Sequence, residues 1–372
     1  MRKIHDRLAY SATDLVGFLE CHHLVHLERA VVGRHLTRPS RQDPVLDRIG
    51  TKGTEHERRF LDSLRAENLT IHQVAGLDTL DSSEQVTQGR NDTLAAMRAG
   101  TEVIYQAVLL DGRRLGYADF LRRVERASDL GPWSYEVWDT KLARHATASA
   151  VLQICMYSDL LTALQGVAPE HMHLALGGME RATTSFRVAD YAAYYRLVAR
   201  NFEALLDEAG SVFPVATRPE PVEHCGVCRW TAECRAQWRA DDDLSLVANL
   251  TKRQRHALHA IGVTTRTSLA EPTTPLPKHL DGSGHEALAR IQAQAHIQVH
   301  GERDAKIISE RIPPARDRTG ALVPGTGLLM LPEPSPGDLF FDIEGDPFFG
   351  SDEIDGVDYL FGVIEPGRLD AD

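Results

Sequence analysis

A mixed α/β core with a central sheet flanked by helices, followed by a small helical module, is the fold class this chain predicts, and three observations carry it. Strand-like segments cluster between residues 101 and 143, helical segments lie on both sides of that cluster, and an aspartate run at 241–243 precedes a further stretch of helical character. At 372 residues the chain is too long for one ordinary domain, and two or three are expected. Its hydrophobic content of 42% is enough for cores of that size.

The first helix is expected over 11–30, SATDLVGFLECHHLVHLERA, starting at Ser11 with Asp14 placed for a capping box. A second runs over 45–66 through RIGTKGTEHERRFLDSL. Two strands follow, TEVIYQAVLL at 101–110 and RLGYADFLRRV at 114–124, and Asp111-Gly112 between them is a strong hairpin signal. After SDLGP a third strand is expected in SYEVWDTKLA, 134–143. Residues 147–164 read as helix, 172–178 as strand and 188–208 as helix, and a Pro-rich loop, RPEPVEH, comes next. Beyond Asp243, LTKRQRHALHAIGVTTRTSLAE is similar to a helix-hairpin-helix with Ile261-Gly262-Val263 as its turn, and helix is expected to continue to about 310. A Pro/Gly-rich linker then leads to LFFDIEGDPFF, which opens a new segment. The expected domains are thus 1–240, a helical module at 241–310, a linker at 311–337, and 338–372 as the incomplete start of another domain.

Composition narrows the function classes. No 18-residue apolar run occurs, so no membrane span is expected, and MRKIHDRLAY lacks the apolar stretch of a secretion signal. Five cysteines, an odd number, argue against a disulfide framework and for a reducing cytoplasm, where clustered thiols serve as ligands. A net charge of −12 does not advertise a nucleic-acid binder, so any phosphate contact must come from local Lys and Arg. The arginine-rich run 113–126 and TKRQRHALH at 251–259 are the candidates, although each by itself reads as a solvated face.

Asp139 and Lys141 are two apart on one expected strand, so both face the same side of the sheet, and Asp119 on the preceding strand is placed to sit beside them. Two carboxylates at one point repel each other and invite a divalent cation. Hard oxygen donors with incomplete coordination suit Mg2+ or Mn2+. A lysine beside such a centre can orient a water or offset charge developing on a phosphate. By itself a D-x-K triplet reads as a surface strand with an ion pair.

G-Y-A-D at 116–119 followed by W-D-T-K at 138–141 resembles the PD-(D/E)XK nuclease motif in its RecB-like version. Gly53-Thr-Glu-His56 is similar to that family's glycine–histidine element, whose histidine is a metal ligand. Gln153 and Tyr157 match the Q-x-x-x-Y motif of the helix after the lysine, which in relatives contacts DNA and supports the site. Alone, His56 is one of 17 histidines, and Gln153 and Tyr157 are ordinary i, i+4 neighbours; their order along the chain joins them. One departure is that alanine and phenylalanine flank Asp119. The resemblance implies a restriction-endonuclease-like core, a catalytic set of His56, Asp119, Asp139, Lys141, Gln153 and Tyr157, and a cation held by His56, Asp119, Asp139 and the Thr140 carbonyl.

Cys225, Cys228 and Cys234 follow a C-x2-C-x5-C spacing, and Cys21 lies far upstream in the first expected helix. Structural zinc sites usually pair their ligands two and two, whereas a three-plus-one arrangement is more typical of iron–sulfur ligation. The pattern resembles the 4Fe-4S staple of RecB-like nucleases of the AddB and CRISPR-associated exonuclease type, which carries over to Cys21, Cys225, Cys228 and Cys234, with zinc as the alternative. Such a cluster closes a very long loop and is structural. Cys155 is expected to be a core residue.

Asp342 and Glu344 place two carboxylates on one strand face, as at the start of a two-metal exonuclease strand, and the segment resembles the first strand of a YprB-type RNase H-like domain. About 30 residues follow, where such a fold needs on the order of 100, so no activity is expected from it, and the chain reads as a piece of a longer nuclease–helicase or a truncated frame. The expected function is a metal-dependent DNA nuclease, an exonuclease acting on single strands or ends in repair or recombination, with a helicase domain or subunit as a further partner. Two alternatives stand beside it: an RNase H-like 3′–5′ exonuclease working through Asp342 and Glu344, and an iron–sulfur DNA-binding module whose nuclease site is vestigial.

Overall fold

A computed structural model describes residues 1–40, 43–74, 82–177, 182–208, 215, 217–346, 349 and 356–365. These fall into two units, the first comprising the described parts of Met1–Arg218 with Val222–Trp230 and Phe349, the second Pro219–Pro221 with the described parts of Thr231–Pro347 and Gly356–Asp372.

The first unit opens with a short hairpin, β1 (Arg2–Ile4) and β2 (Arg7–Ala9), turned by His5 and Asp6 at positive φ. Ser11 then caps α1 (Ala12–Glu20) in the expected box: Asp14 N–H donates to Ser11 Oγ at 3.4 Å and Ser11 N–H to Asp14 Oδ2 at 2.8 Å. The single helix expected over 11–30 is instead two, because Cys21 is extended (φ −159, ψ 108) between α1 and α2 (His22–Val32). The break wastes no backbone group: Cys21 N–H closes α1 on Gly17 O at 2.9 Å and Cys21 O opens α2 by accepting from Leu24 N–H at 3.1 Å. Apolar periodicity continues on both sides, so it could not reveal the break.

Helix α3 (Pro44–Ala66) begins where Asp43 accepts from Val45 and Leu46 N–H and Pro44 occupies the first turn. Strand β3 (Ile71–Gln73) and helix α4 (Ser83–Arg98) were not expected. Helix α4 buries Val86, Gly89, Thr93, Ala96 and Met97, a stripe of mostly small residues with little hydrophobic contrast. Strands β4 (Val103–Asp111), β5 (Arg114–Val124) and β6 (Ser134–Lys141), helix α5 (Ala148–Gln165), strand β7 (His171–Leu176) and helix α6 (Val188–Glu208) match the expected elements closely, and β8 (Thr183–Arg187) is additional. Gly178, at the end of the expected 172–178 strand, lies outside the described residues.

The six longer-range strands form one mixed sheet in the order β3-β4-β5-β6-β7-β8, parallel at β3/β4 and β6/β7 and antiparallel elsewhere. Helix α5 makes the crossover between β6 and β7, which a parallel pair requires. One face of the sheet packs Leu121, Val137, Met172 and Leu174 against Leu160 of α5, and the other packs Tyr105, Phe120 and Trp138 against Leu61 and Leu64 of α3. Helices on both faces explain why these strands read as nearly continuous apolar runs.

The second unit holds α7 (Thr231–Ala240), α8 (Lys252–Ala260), α9 (Arg266–Ala270) and α10 (His285–Arg303) around Leu244, Leu258, Leu269, Leu288, Ile291 and Ala295. The Ile261-Gly262-Val263 turn joins α8 to α9 as expected, with Gly262 at φ +83. The aspartate run is part of this unit rather than a spacer, since Asp242 accepts from Arg266 Nε at 3.0 Å and Thr267 N–H at 2.8 Å. Helix ends at Arg303, short of the expected 310. Residues 311–337 are irregular apart from a turn of 3-10 helix at Gly327–Met330. Strands β9 (Phe340–Asp346) and β10 (Val357–Ile364) pair as an antiparallel hairpin, and residues 347–348 of LFFDIEGDPFF lie outside the described residues. Among the described residues no helix is long and apolar enough to cross a membrane.

Candidate active site

The ladder between β5 and β6 runs from Val124–Ser134 to Phe120–Trp138 and stops there. The next residues on the two strands are Asp119 and Asp139, so two carboxylates meet where the strands part. Asp119 bridges the opening with its side chain: Oδ2 accepts from both Thr140 N–H and Thr140 Oγ1 at 2.7 Å. The Asp139 side chain is 0% exposed. Its Oδ1 accepts from Gln153 Nε2 at 3.2 Å, while Oδ2 is paired with the ammonium of Lys141. Burial first, and then the negative charge of Asp119, push the Asp139 carboxyl up to about 7, against the opposing pull of Lys141.

Helix α5 fixes this arrangement from one face. Gln153 Nε2 also reaches Tyr157 Oη at 3.1 Å, so Asp139, Gln153 and Tyr157 form one chain of contacts. Tyr157 lies flat against the β5 backbone at Gly116, where a Cβ would stand 2.8 Å from Tyr157 Cδ1. The glycine of G-Y-A-D is therefore needed for close approach of helix to strand.

Helix α3 addresses the same strands from the opposite face. His56 Nε2 lies 3.1 Å from Ala175 O on β7, and Ala175 is the ladder partner of Thr140. Gly53, one turn earlier, has open space where a Cβ would go. Sequence reasoning passed over the next residue, Glu57. It accepts from Gln106 Nε2 at 3.3 Å and from the Tyr105 hydroxyl. Burial and then the charge of Asp119 raise its carboxyl above the usual range, while Lys141 acts in the opposite direction. Gln106 is itself unusual: it sits in β4 at φ +55, between the pairs Tyr105–Phe120 and Ala107–Ala118, opposite Asp119. Its signal was available, because Gln106 is the one polar residue within VIYQAVLL.

The structure thus brings together Asp119, Asp139, Thr140, Lys141, Gln153 and Tyr157, with His56 and Glu57 above the neighbouring strands. The oxygen donors of the buried Asp139 and the half-buried Asp119 match a hard divalent cation in donor chemistry. Among the described residues, no three His, Cys, Asp or Glu side chains are already arranged as a metal-ligand set.

The thiols divide. Cys21 stands at the break between α1 and α2, Cys225 lies in the 3-10 turn Glu223–Gly226 with Val222 N–H donating to its Sγ at 3.4 Å, and Cys228 follows; all three belong to the first unit. Burial raises the Cys228 thiol, the amide at Trp230 offsets this, and the nearby charges of Cys225, Cys21 and Glu28 add to the rise. Trp230 Nε1 donates to Glu28 Oε1 at 2.9 Å, holding this segment to α2. Cys234 is on α7 in the second unit. Cys155 is a core residue, buried against Met172 with its thiol pushed up to about 12.

The two basic runs are largely engaged within the fold. Arg113 holds Asp207, Arg114 holds Asp111 and Asp159, Arg122 and Arg123 cover the Trp138 and Trp133 rings at 4.7 and 4.8 Å, and Arg126 donates to Ala168 O. In the second run Lys252 and His256 face Glu220 and Arg253 faces Asp281. Asp342 and Glu344 sit exposed on the β9–β10 hairpin, opposite Gly362 and Leu360. No protein-family model matches the chain, and no curated protein matches it.

Proposed function

We propose that this chain is a metal-dependent DNA nuclease, acting on single strands or ends in repair or recombination within the cytoplasm, through a restriction-endonuclease-like core. The observation that carries the reading is the meeting of Asp119 and Asp139 where β5 and β6 part, with Lys141 beside them and Gln153 and Tyr157 behind. A divalent cation bound by Asp119, Asp139, His56 and the Thr140 carbonyl would lower the pKa of a water and offset charge on the scissile phosphate.

The chain's own residues account for the remainder. Thr140 fixes one oxygen of Asp119, and Gln153 fixes one oxygen of Asp139, so neither carboxylate is free to rotate away. Lys141 is 30% exposed, so its ammonium faces Asp139 on one side and incoming solvent on the other. It can hold the attacking water by hydrogen bond and stabilise negative charge building on the phosphoryl oxygens. The α8–Gly262–α9 turn is the proposed contact with the DNA backbone, which positions without reading sequence. A 4Fe-4S cluster is the group proposed for Cys21, Cys225, Cys228 and Cys234, supported by the three thiols of the first unit, with zinc as the alternative.

Incubating the anaerobically purified protein with end-labelled single- and double-stranded DNA, in Mn2+ or in EDTA, tests this directly. Cleavage is expected in Mn2+ only, and Lys141→Ala should lower it by about 10²- to 10³-fold with an unchanged circular dichroism spectrum. Undiminished cleavage by that variant overturns the assignment.

A further inference from the structure

We propose that Glu57 supplies a third carboxylate to the cation site and that Gln106 holds it there; the inference rests on the nuclease reading above. His56 and Glu57 leave α3 in different directions. His56 Nε2 reaches Ala175 O on β7 at 3.1 Å, and Glu57 Oε1 reaches Gln106 Nε2 on β4 at 3.3 Å. Strands β5 and β6, carrying Asp119 and Asp139, lie between those two strands. Two adjacent residues of one helix therefore straddle the carboxylate pair.

Gln106 is the second observation. A non-glycine residue at φ +55 inside a strand is strained, and such strain persists where the surroundings impose it. Here it interrupts the β4–β5 ladder opposite Asp119 without shifting the register, and the side chain it re-aims goes to Glu57. The Tyr105 hydroxyl donates to the same carboxylate, so Glu57 is held by two donors from consecutive strand residues.

The third observation is charge. Glu57, Asp119 and Asp139 interact with one another and share one ammonium, that of Lys141, so carboxylates outnumber the cation beside them. The fully buried Asp139 Oδ2 faces the Lys141 ammonium, and Oδ1 accepts from Gln153, so both oxygens of this carboxylate are held in place. A hard divalent ion with oxygen preference would offset that excess of carboxylate, which is the chemistry of Mg2+ or Mn2+.

Calorimetric titration of the full chain with MnCl2, paired with thermal melts in EDTA, separates this from a packing role. Asp139→Asn is expected to abolish Mn2+ binding. Glu57→Gln is expected to weaken it about tenfold while melting in EDTA at or above the wild-type temperature, because one of three like charges is gone. Gln106→Leu, which cannot donate to Glu57, is expected to weaken binding about threefold and serves if Glu57→Gln does not fold. Wild-type Mn2+ affinity in both Glu57→Gln and Gln106→Leu, with Asp139→Asn deficient, overturns the role of Glu57 and leaves the nuclease reading standing. A Glu57→Gln protein that melts clearly lower in EDTA with Gln106→Leu binding normally makes Glu57 a packing residue and also overturns it. Wild-type affinity in Asp139→Asn removes the cation site itself, and both readings fall together.

Discussion

Asp139 is buried at a point where its charge is opposed by Asp119 and only partly met by Lys141, and that imbalance has a measurable sign. Its folded-state pKa is raised from 3.8 to about 7, so between those values the folded state binds a proton that the unfolded state lacks. Stability contributed at this position therefore falls as pH rises from about 4 to about 7 and then levels off. Asp139→Asn takes up no proton, so in EDTA it should be more stable than wild type by on the order of 2 kcal/mol at pH 8, with the gap narrowing toward pH 5. Urea melts at the two pH values decide it; a gap that widens on acidification contradicts the charge assignment. The same proton competes with a cation, so Mn2+ affinity should rise with pH up to about 7 and be flat above.

At the scale of elements, the site depends on how closely α5 and α3 approach the sheet, and two glycines respond in opposite ways. A methyl at Gly116 would stand 2.8 Å from Tyr157 Cδ1 and 3.1 Å from Leu160 Cδ1. Gly116→Ala should therefore push α5 off β5, costing about 1–3 kcal/mol and loosening Gln153 on Asp139. Gly53 lies in the middle of α3 with no atom near a would-be Cβ. Gly53→Ala should raise the melting temperature, by about 0.5–1 kcal/mol of helix propensity. If both variants shift stability the same way, the approach of α5 to Gly116 is not what holds the site. The break at Cys21 is a further feature of this scale: an extended residue between two helices turns a thiol out of a helical face that would otherwise be continuous.

For the whole molecule, the question is what ties the N-terminal helices to the segment around Cys225 and Cys228. Protein contacts already contribute, through Glu28–Trp230 at 2.9 Å and His23–Thr217 at 2.8 Å. A cluster closing a loop of this length would add to them. Cys225→Ser should bleach the brown colour of anaerobically purified protein and lower its melting temperature; stoichiometric zinc without iron in the wild type would refute the iron–sulfur proposal. The β9–β10 hairpin exposes Phe340, Phe341 and Phe361 and carries Asp342 and Glu344 on a two-stranded sheet of its own. Ending the chain before residue 338 should leave DNA cleavage unchanged, and a loss of cleavage would move the chemistry to that hairpin.

Local chemistry was enough to write much of this protein from its sequence. Apolar-rich runs bounded by turn residues located β4 to β7 and α5 and α6, because these elements are largely buried, and Ser11 marks a helix start by a mechanism confined to a few residues. The acidic pair, its lysine and the Gln153–Tyr157 contact could be read the same way, since each lies at a strand or helix spacing that fixes its face. What tertiary structure alone decided are the relations that no period encodes. The β5–β6 ladder ends one pair before the aspartates, Gln106 takes a strained backbone to reach Glu57, Cys21 divides a helix whose hydrophobic pattern runs on, and the arginines of 113–126 turn inward to acids, carbonyls and tryptophans. Each of these depends on a partner remote in sequence, and it is the energy of that partner, rather than local propensity, that sets the geometry.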